Sequence, residues 1–240
     1  MASFGLSNVG PIFRRELHSY FNSPVAYVVI TVFLGIIGWF FTSNLFLMNV
    51  SSLRVVFELV PLIFLFFVPA ITMRLLAEEQ KSGTLELLTT CPVRDIEIVL
   101  GKFLAAWALL AAAIAPTLLY VFSVAALGSL DIGPVLTGYL GLLLMGGVYI
   151  AIGILASSLT ENQIVAFILS FLIILALFLM DKVLMYVPET FASTMEFLAI
   201  DSHFSNIARG VIDSRNIVYF ASLLGFSLYL ATVSLERRKW

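Results

Sequence analysis

The chain has 240 residues, 61% hydrophobic and 12% charged, with a mean hydropathy of +1.06 and a formal net charge of −2. A soluble domain carries roughly 25% charged residues, so too few polar side chains exist here to cover a globule in water. That excludes a water-soluble enzyme or binding module and puts the chain among membrane proteins. The small net charge names no partner, and nucleic acid is not expected. The single cysteine, Cys91, permits no internal disulfide and reads as a small apolar filler.

In chain order, residues 11–21 form the first element. On a helix, Phe13, Leu17, Tyr20 and Phe21 gather on one side while Arg14, Arg15 and His18 fall elsewhere, the pattern of an interfacial helix along the cytoplasmic leaflet. No second ligand-type residue sits at helical spacing from His18, so it reads as a surface histidine. The apolar stretch after residue 24 exceeds a signal-peptide core and ends on no small-x-small site, so no cleavable leader is expected.

Spanning a bilayer takes about 20 mostly apolar residues. Six stretches qualify: 25–48, 55–76, 98–127, 135–159, 164–180 and 217–235. Ser23-Pro24 opens the first with a capping residue and proline at the first helical position. Pro61 and Pro69 each remove a backbone donor from the second, which should bend. The third is longer than the hydrocarbon core requires and should tilt or project beyond it. The fourth carries Gly138, Gly141, Gly146, Gly147 and Gly153. Its small pairs Gly147/Ala151 and Gly153/Ser157 give a close-packing face, within the subunit or at a dimer seam. The fold class is therefore all-α, one transmembrane domain over 1–240.

Lys and Arg near the span ends set orientation. With both termini cytoplasmic, the inside receives Arg14, Arg15, Arg74, Lys81, Arg94, Lys102, Arg237, Arg238 and Lys239. The outside receives Arg54, Lys182, Arg209 and Arg215. Nine against four favours this arrangement.

Two connecting segments have helical punctuation. In 77–97, Thr84 can cap a helix over 85–90 with Glu86 in its first turn, Pro92 stops it, and Asp95 can cap the next helix, with Glu97 in its first turn. Leu85, Leu87 and Leu88 beside carboxylates describe a cytoplasmic docking helix. In 181–216, Phe191, Met195 and Leu198, then Phe204, Ile207, Ala208 and Val211, recur at helical spacing, and Asp201 or Ser202 would cap the second piece. Two short amphipathic helices at the outer surface are expected.

The segment Glu78-Glu79 followed by Gly83-Thr84, Glu86 and Leu88, then Cys91-Pro92-Val93-Arg94-Asp95 and Val99-Leu100-Gly101-Lys102-Phe103, resembles the permeases of the ABC-2 class. The similarity is closest to the permease subunit of gliding-motility-associated ABC transporters. Arg14-Arg15-Glu16-Leu17 with Tyr20-Phe21 and Ser23-Pro24 fits that subclass, as do residues 157–167 and the run from His203-Phe204 to Arg209-Gly210-Val211-Ile212-Asp213. The resemblance covers nearly the whole chain.

It implies a coupling helix in 77–97 that seats in a groove of the ATP-binding subunit, with Glu78, Glu79, Gly83, Thr84, Glu86, Leu87, Leu88, Pro92 and Arg94 at the interface. It implies a second contact at Thr160-Glu161-Asn162, and paired half-helices re-entering the outer leaflet. There His203, Phe204, Arg209 and Asp213 would form an outer gate. The implied assembly holds two ATP-binding subunits, a second permease copy or relative, surrounding lipid and an auxiliary protein with a periplasmic domain, in a bacterial inner membrane. ATP and Mg would bind the partner, leaving this chain no cofactor, metal or catalytic residue.

Rival functions meet specific obstacles. No G-x-x-x-x-G-K-[ST] occurs, since the only Gly-Lys, Gly101-Lys102, precedes Phe103. Ion coupling normally uses an ionisable group inside a span, at roughly 2.5–3.5 kcal/mol on insertion scales. The middles of all six spans hold none, and Glu58, Arg74 and Lys102 near the ends read as snorkelling groups. The two histidines lie outside the spans and no H-E-x-x-H occurs, which removes intramembrane proteolysis. An exporting permease is the leading reading; an ATP-independent channel or secondary transporter is the alternative.

Overall fold

Inside a bilayer every backbone N–H and C=O must find a partner within the protein, and an apolar helix does this locally. The computed structural model describes residues 8–47, 53–84, 93–127, 131–183 and 197–237, and no strand occurs among them. Six helices are long and apolar enough to cross a membrane, at 26–46, 54–81, 95–127, 132–159, 163–183 and 214–237. Trp39, Phe46, Phe122 and Tyr229 are all more than half exposed. Such side chains need lipid or protein around them.

The amphipathic first helix, α1 (Val9–Asn22), meets α2 (Pro24–Leu47) at Ser23. Pro24 opens α2 as its first residue. Only one stripe of α2 is buried, at Ala26, Phe33, Ile37 and Phe41. Phe33 rests on Phe64 and Phe67, and Phe41 stacks on Tyr120 at 4.5 Å.

The second span is shorter as an α-helix than its apolar run predicts. α3 (Arg54–Thr72) stops at Thr72, and a turn over 73–76 separates it from α4 (Ala77–Lys81). The ladder breaks where Thr72 turns its hydroxyl back on Val68 O, 2.9 Å away, and a foreign hydroxyl enters. Ser157 Oγ accepts from Leu76 N (3.1 Å) and Ala77 N (3.0 Å) and donates to Met73 O (3.0 Å).

The third span starts earlier than expected and is not one helix. α5 (Asp95–Ile114) passes through a 3₁₀ turn at Ala115–Thr117 into α6 (Leu118–Leu127). Pro116 has no N–H for an α-helical ladder, and Thr117 Oγ1 donates to Ile114 O at 2.7 Å. The residue at the N-terminal cap of α5 is Arg94, one before the expected Asp95. Glu97 takes the role that decides it, its carboxylate accepting from Arg94 N at 3.0 Å.

α7 (Ile132–Leu159) is the central helix, packed against α3, α5, α8 (Gln163–Val183), α9 (Ile200–Ala208) and α10 (Ser214–Arg237). It is apolar on every side, as a helix surrounded by others must be. Five of its six glycines each admit a different part of the same chain: Phe57 over Gly138, Phe204 and Ile207 over Gly141, Leu110 over Gly146, Trp107 and Leu224 over Gly147, and Thr72 over Gly153. Of the two packing roles expected for this face, the one within the subunit is occupied at all five. Trp107 Nε1 also donates to Leu143 O at 2.9 Å, joining α5 to α7. By contrast α2 and α8 lie at the rim, with most of their surface uncovered.

Of the two short helices expected in 181–216, the second is α9. It buries Ile200, Phe204 and Ile207 against the bundle and ends before Val211. Its cap position is held by Ala199, not Asp201 or Ser202. Asp201 instead pairs with Lys182 at 2.7 Å, and Ser202 Oγ donates back to Ala199 O. The first expected piece, with Phe191 and Met195, lies outside the described residues, as do the helix over 85–90, Cys91 and Pro92.

A Cβ at Gly153 would stand 2.7 Å from Thr72 Cβ, whereas one at Gly35 meets nothing within 4 Å. Gly153→Val should cost about 1–3 kcal/mol through overpacking. It should lower the apparent Tm of the detergent-solubilised protein, with Gly35→Ala as the silent control.

Candidate functional site

At one end of the bundle, α1, α4 and the start of α5 converge. Every third or fourth residue of α1 turns inward, so Ile12, Tyr20 and Phe21 pack on the core. Gly101 permits this approach: a Cβ there would lie 2.6 Å from Ile12 Cγ2. The same inward face carries Glu16.

About two turns into α5, Lys102 is 1% exposed and does not snorkel. Its ammonium sits 2.8 Å from Glu79 Oε1 on α4 and 3.1 Å from Glu16 Oε1 on α1. Arg15 closes the ring, at 2.9 Å from Glu16 and 3.1 Å from Glu79. Two cations and two carboxylates from three helices make a neutral cluster beside a cleft of about 360 Å³. Burial works to raise the Glu16 carboxyl, but Lys102 and Arg15 outweigh it and hold it below the ordinary carboxylate range. The Glu16 hydrogen bond holds Arg15 firmly charged.

Two further ties complete the junction. Glu97 accepts from Asn8 Nδ2 at 3.1 Å and Asn8 N at 3.3 Å, fixing the start of α1 to the start of α5. Tyr20 donates to Ile71 O at 3.1 Å, and burial raises its hydroxyl pKa.

Sequence-predicted residues occupy distinct places here. Glu79 faces inward, and Glu78 faces outward beside Arg74 at 3.1 Å. Gly83 ends α4 with a φ of 70°, a left-handed conformation that favours glycine. Thr84 Oγ1 lies 2.9 Å from Ser82 Oγ. Arg94 stands at the head of α5, and Glu86, Leu87, Leu88 and Pro92 lie outside the described residues. Glu161 is exposed in the turn between α7 and α8, where Asn162 Oδ1 caps α8 through Ile164 N at 2.9 Å. That turn adjoins α4, since Gln80 Nε2 donates to Ser158 O at 3.1 Å. Thus Glu78, Glu79, Gly83, Arg94 and Glu161 gather at one end of the molecule.

Sequence reasoning missed Lys102, Glu16, Glu97 and Ser157 as members of this junction. The available signal was Lys102 itself, because a charge in an apolar helix calls for a partner.

The opposite end holds a cavity of about 920 Å³ between α3, α6, α7, α8 and α9. Phe204 and Arg209 line it. His203 and Asp213 do not: His203 stacks on Tyr219 at 4.0 Å and lies 2.7 Å from the Asn216 amide, while Asp213 Oδ1 accepts from Arg215 N at 2.9 Å at the head of α10. Among the described residues no cluster of His, Cys, Asp and Glu is placed to hold a metal.

Over residues 15–200 the chain matches the sequence pattern of a family described as ABC-2 family transporter protein. The chain belongs to the ABC-2 transporter family. It is a multi-pass membrane permease, the transport subunit of an ABC transporter, and the family implies an ATP-binding partner subunit. A search of curated proteins finds no match.

Two expectations concern the junction. Lys102→Met leaves two carboxylates sharing the half-exposed Arg15 and should destabilise by about 3 kcal/mol, read as a lowered Tm, with Glu16→Gln and Glu79→Gln added to it recovering much of the loss. Glu16 has a folded pKa below its unfolded one, so its stabilisation is present above the unfolded value and is lost as pH falls through the folded one. A nitroxide at Ser19 should therefore stay immobile from pH 7 to 5 and loosen below about pH 4, and Glu16→Gln should abolish the transition.

Proposed function

We propose that this permease converts ATP-driven closure of its partner subunits into movement of its spans through the α1–α4–α5 junction, and that it exports its substrate. A coupling element must be stiff, because a flexible loop would absorb the motion. The observation that carries the reading is the Lys102 cluster. It joins the segment with the family's Glu78-Glu79 motif to α1 and to the head of a span.

In this reading the helix over 85–90 docks in the ATPase groove, Glu86 meets cationic groups there, and Leu87 and Leu88 fill it. Gly83 and Pro92 bound the docking helix, Arg94 returns the chain to α5, and Glu161 makes the smaller second contact. The charged end faces the cytoplasm, following the nine-to-four distribution of Lys and Arg, with both termini on that side of an inner membrane. Two ATP-binding subunits carry ATP and Mg, and two permease copies, or this chain and a relative, enclose the path. The entire chain serves as one transmembrane domain. The motifs at 14–24 and 157–167 favour the gliding-motility-associated subclass, with a periplasmic-domain protein as a further partner. His203, Phe204, Arg209 and Asp213 belong to the outer gate.

An ion-coupled carrier fits less well. The buried Asp, Glu, Lys and Arg side chains of the described spans, Asp95, Glu97 and Lys102, cluster at one end, and none stands midway where an alternating-access site would need it.

Glu86→Lys combined with Leu88→Asp should abolish co-purification of the partner ATPase from membranes while leaving the permease monodisperse. Undiminished capture would mean that the dock lies elsewhere.

A further inference from the structure

The cavity at the end opposite the junction has a composition that coupling does not require. Its floor is apolar, with Phe57, Val124, Val135 and Phe204 all buried. Its walls carry both signs of charge. Three ion pairs are closed, Arg54–Glu58 and Lys182–Asp201, each at 2.7 Å, and Lys182–Asp181 at 3.4 Å. Two groups are not. Among the described residues the Arg209 guanidinium makes no ion pair, and Asp131 engages only Gly133 N through Oδ1, at 3.2 Å. Both line the cavity, and beside them in the chain Gly210, with φ 95°, packs against Pro134.

The cavity also opens sideways. Leu62 lines it and is 46% exposed on the outer face of α3, while lower in the bundle Phe66 meets Phe171 and closes the seam between α3 and α8. Ligand sites run to about 300–1,000 Å³ with an apolar lining and a few polar anchors. This one fits at the upper end.

We infer that the cavity binds a membrane glycerophospholipid whose head carries both charges, the phosphate on Arg209 and the amine on Asp131. The apolar floor takes the glycerol and the first methylenes, and the acyl chains leave past Leu62 into the bilayer. An anionic head lacking the amine would leave the Asp131 carboxylate without a cationic partner and add an uncompensated negative charge beside it, which disfavours binding.

The test uses the purified permease without its ATPase, so its failure leaves the coupling reading intact. The protein is equilibrated in an equimolar mixture of phosphatidylethanolamine and phosphatidylglycerol, and retained lipid is counted by native mass spectrometry. Wild type should hold phosphatidylethanolamine about tenfold over phosphatidylglycerol, the scale of one charge-assisted contact. Asp131→Asn should erase or invert that preference. Asp131→Ser, which also keeps a capping oxygen, should do the same if the Asn variant folds poorly. Arg209→Gln should lower retention of both lipids, and Leu62→Trp should lower both without changing their ratio. Wild-type retention in proportion to the mixture, or a ratio unmoved by the Asp131 variants, would overturn the inference.

Discussion

Taking an ammonium group out of water costs several kcal/mol unless carboxylates and hydrogen bonds replace its hydration. Lys102 sits on a membrane-spanning helix with 1% of its side chain exposed, so the chain must meet that cost. It does so with carboxylates from two other helices, Glu16 of α1 and Glu79 of α4. The requirement to neutralise one buried cation thereby fixes three segments that are distant in sequence. Arg15 balances the cluster, and Glu97 and Tyr20 hold α1 at either end of its contact. A weak packing interaction could slip; a buried, neutralised ion cluster resists displacement, because separating it exposes an unpaired charge to a low dielectric.

The second constraint is steric. α7 has six glycines, and five of them make room for a side chain from another part of the chain. Without a hydrophobic drive between helices in lipid, close van der Waals contact holds the bundle, and glycine permits it. Near the end of α7, Ser157 supplies the hydrogen bonds that the break between α3 and α4 leaves open. The central helix therefore positions α4, and α4 in turn carries one of the two carboxylates that Lys102 needs. Packing and electrostatics converge on the same short helix.

Much of the fold was legible in the sequence because membrane spans follow from composition and length. The six spans, the amphipathic α1 and the short helix after residue 199 all reflect periodicity or apolar runs. What escaped were local breaks and long-range partners. Pro116 and Thr117 interrupt the third span at a point where hydropathy is uniform. The end of α3 depends on a hydroxyl 81 residues away from Leu76 in the chain. Glu79 carries a carboxylate suited to a partner protein by sequence, yet it turns inward to Lys102, because a neighbour 23 positions later in the numbering needs it more. Arg94 rather than Asp95 heads α5 because Glu97 is placed to take the Arg94 amide. The glycines of α7 announced close packing, but only three dimensions name the neighbours.

Coupling through the junction requires α1 and α4 to move as one body. With Cys91 replaced by Ala, spin labels at Ser19 on α1 and Lys81 on α4 can be followed by pulsed electron–electron resonance in nanodiscs that hold the permease with its partner ATPase. The same intramolecular distance distribution without nucleotide and with trapped ATP is the predicted result. A distribution that shifts or broadens on nucleotide binding, with the complex intact, would contradict a rigid junction.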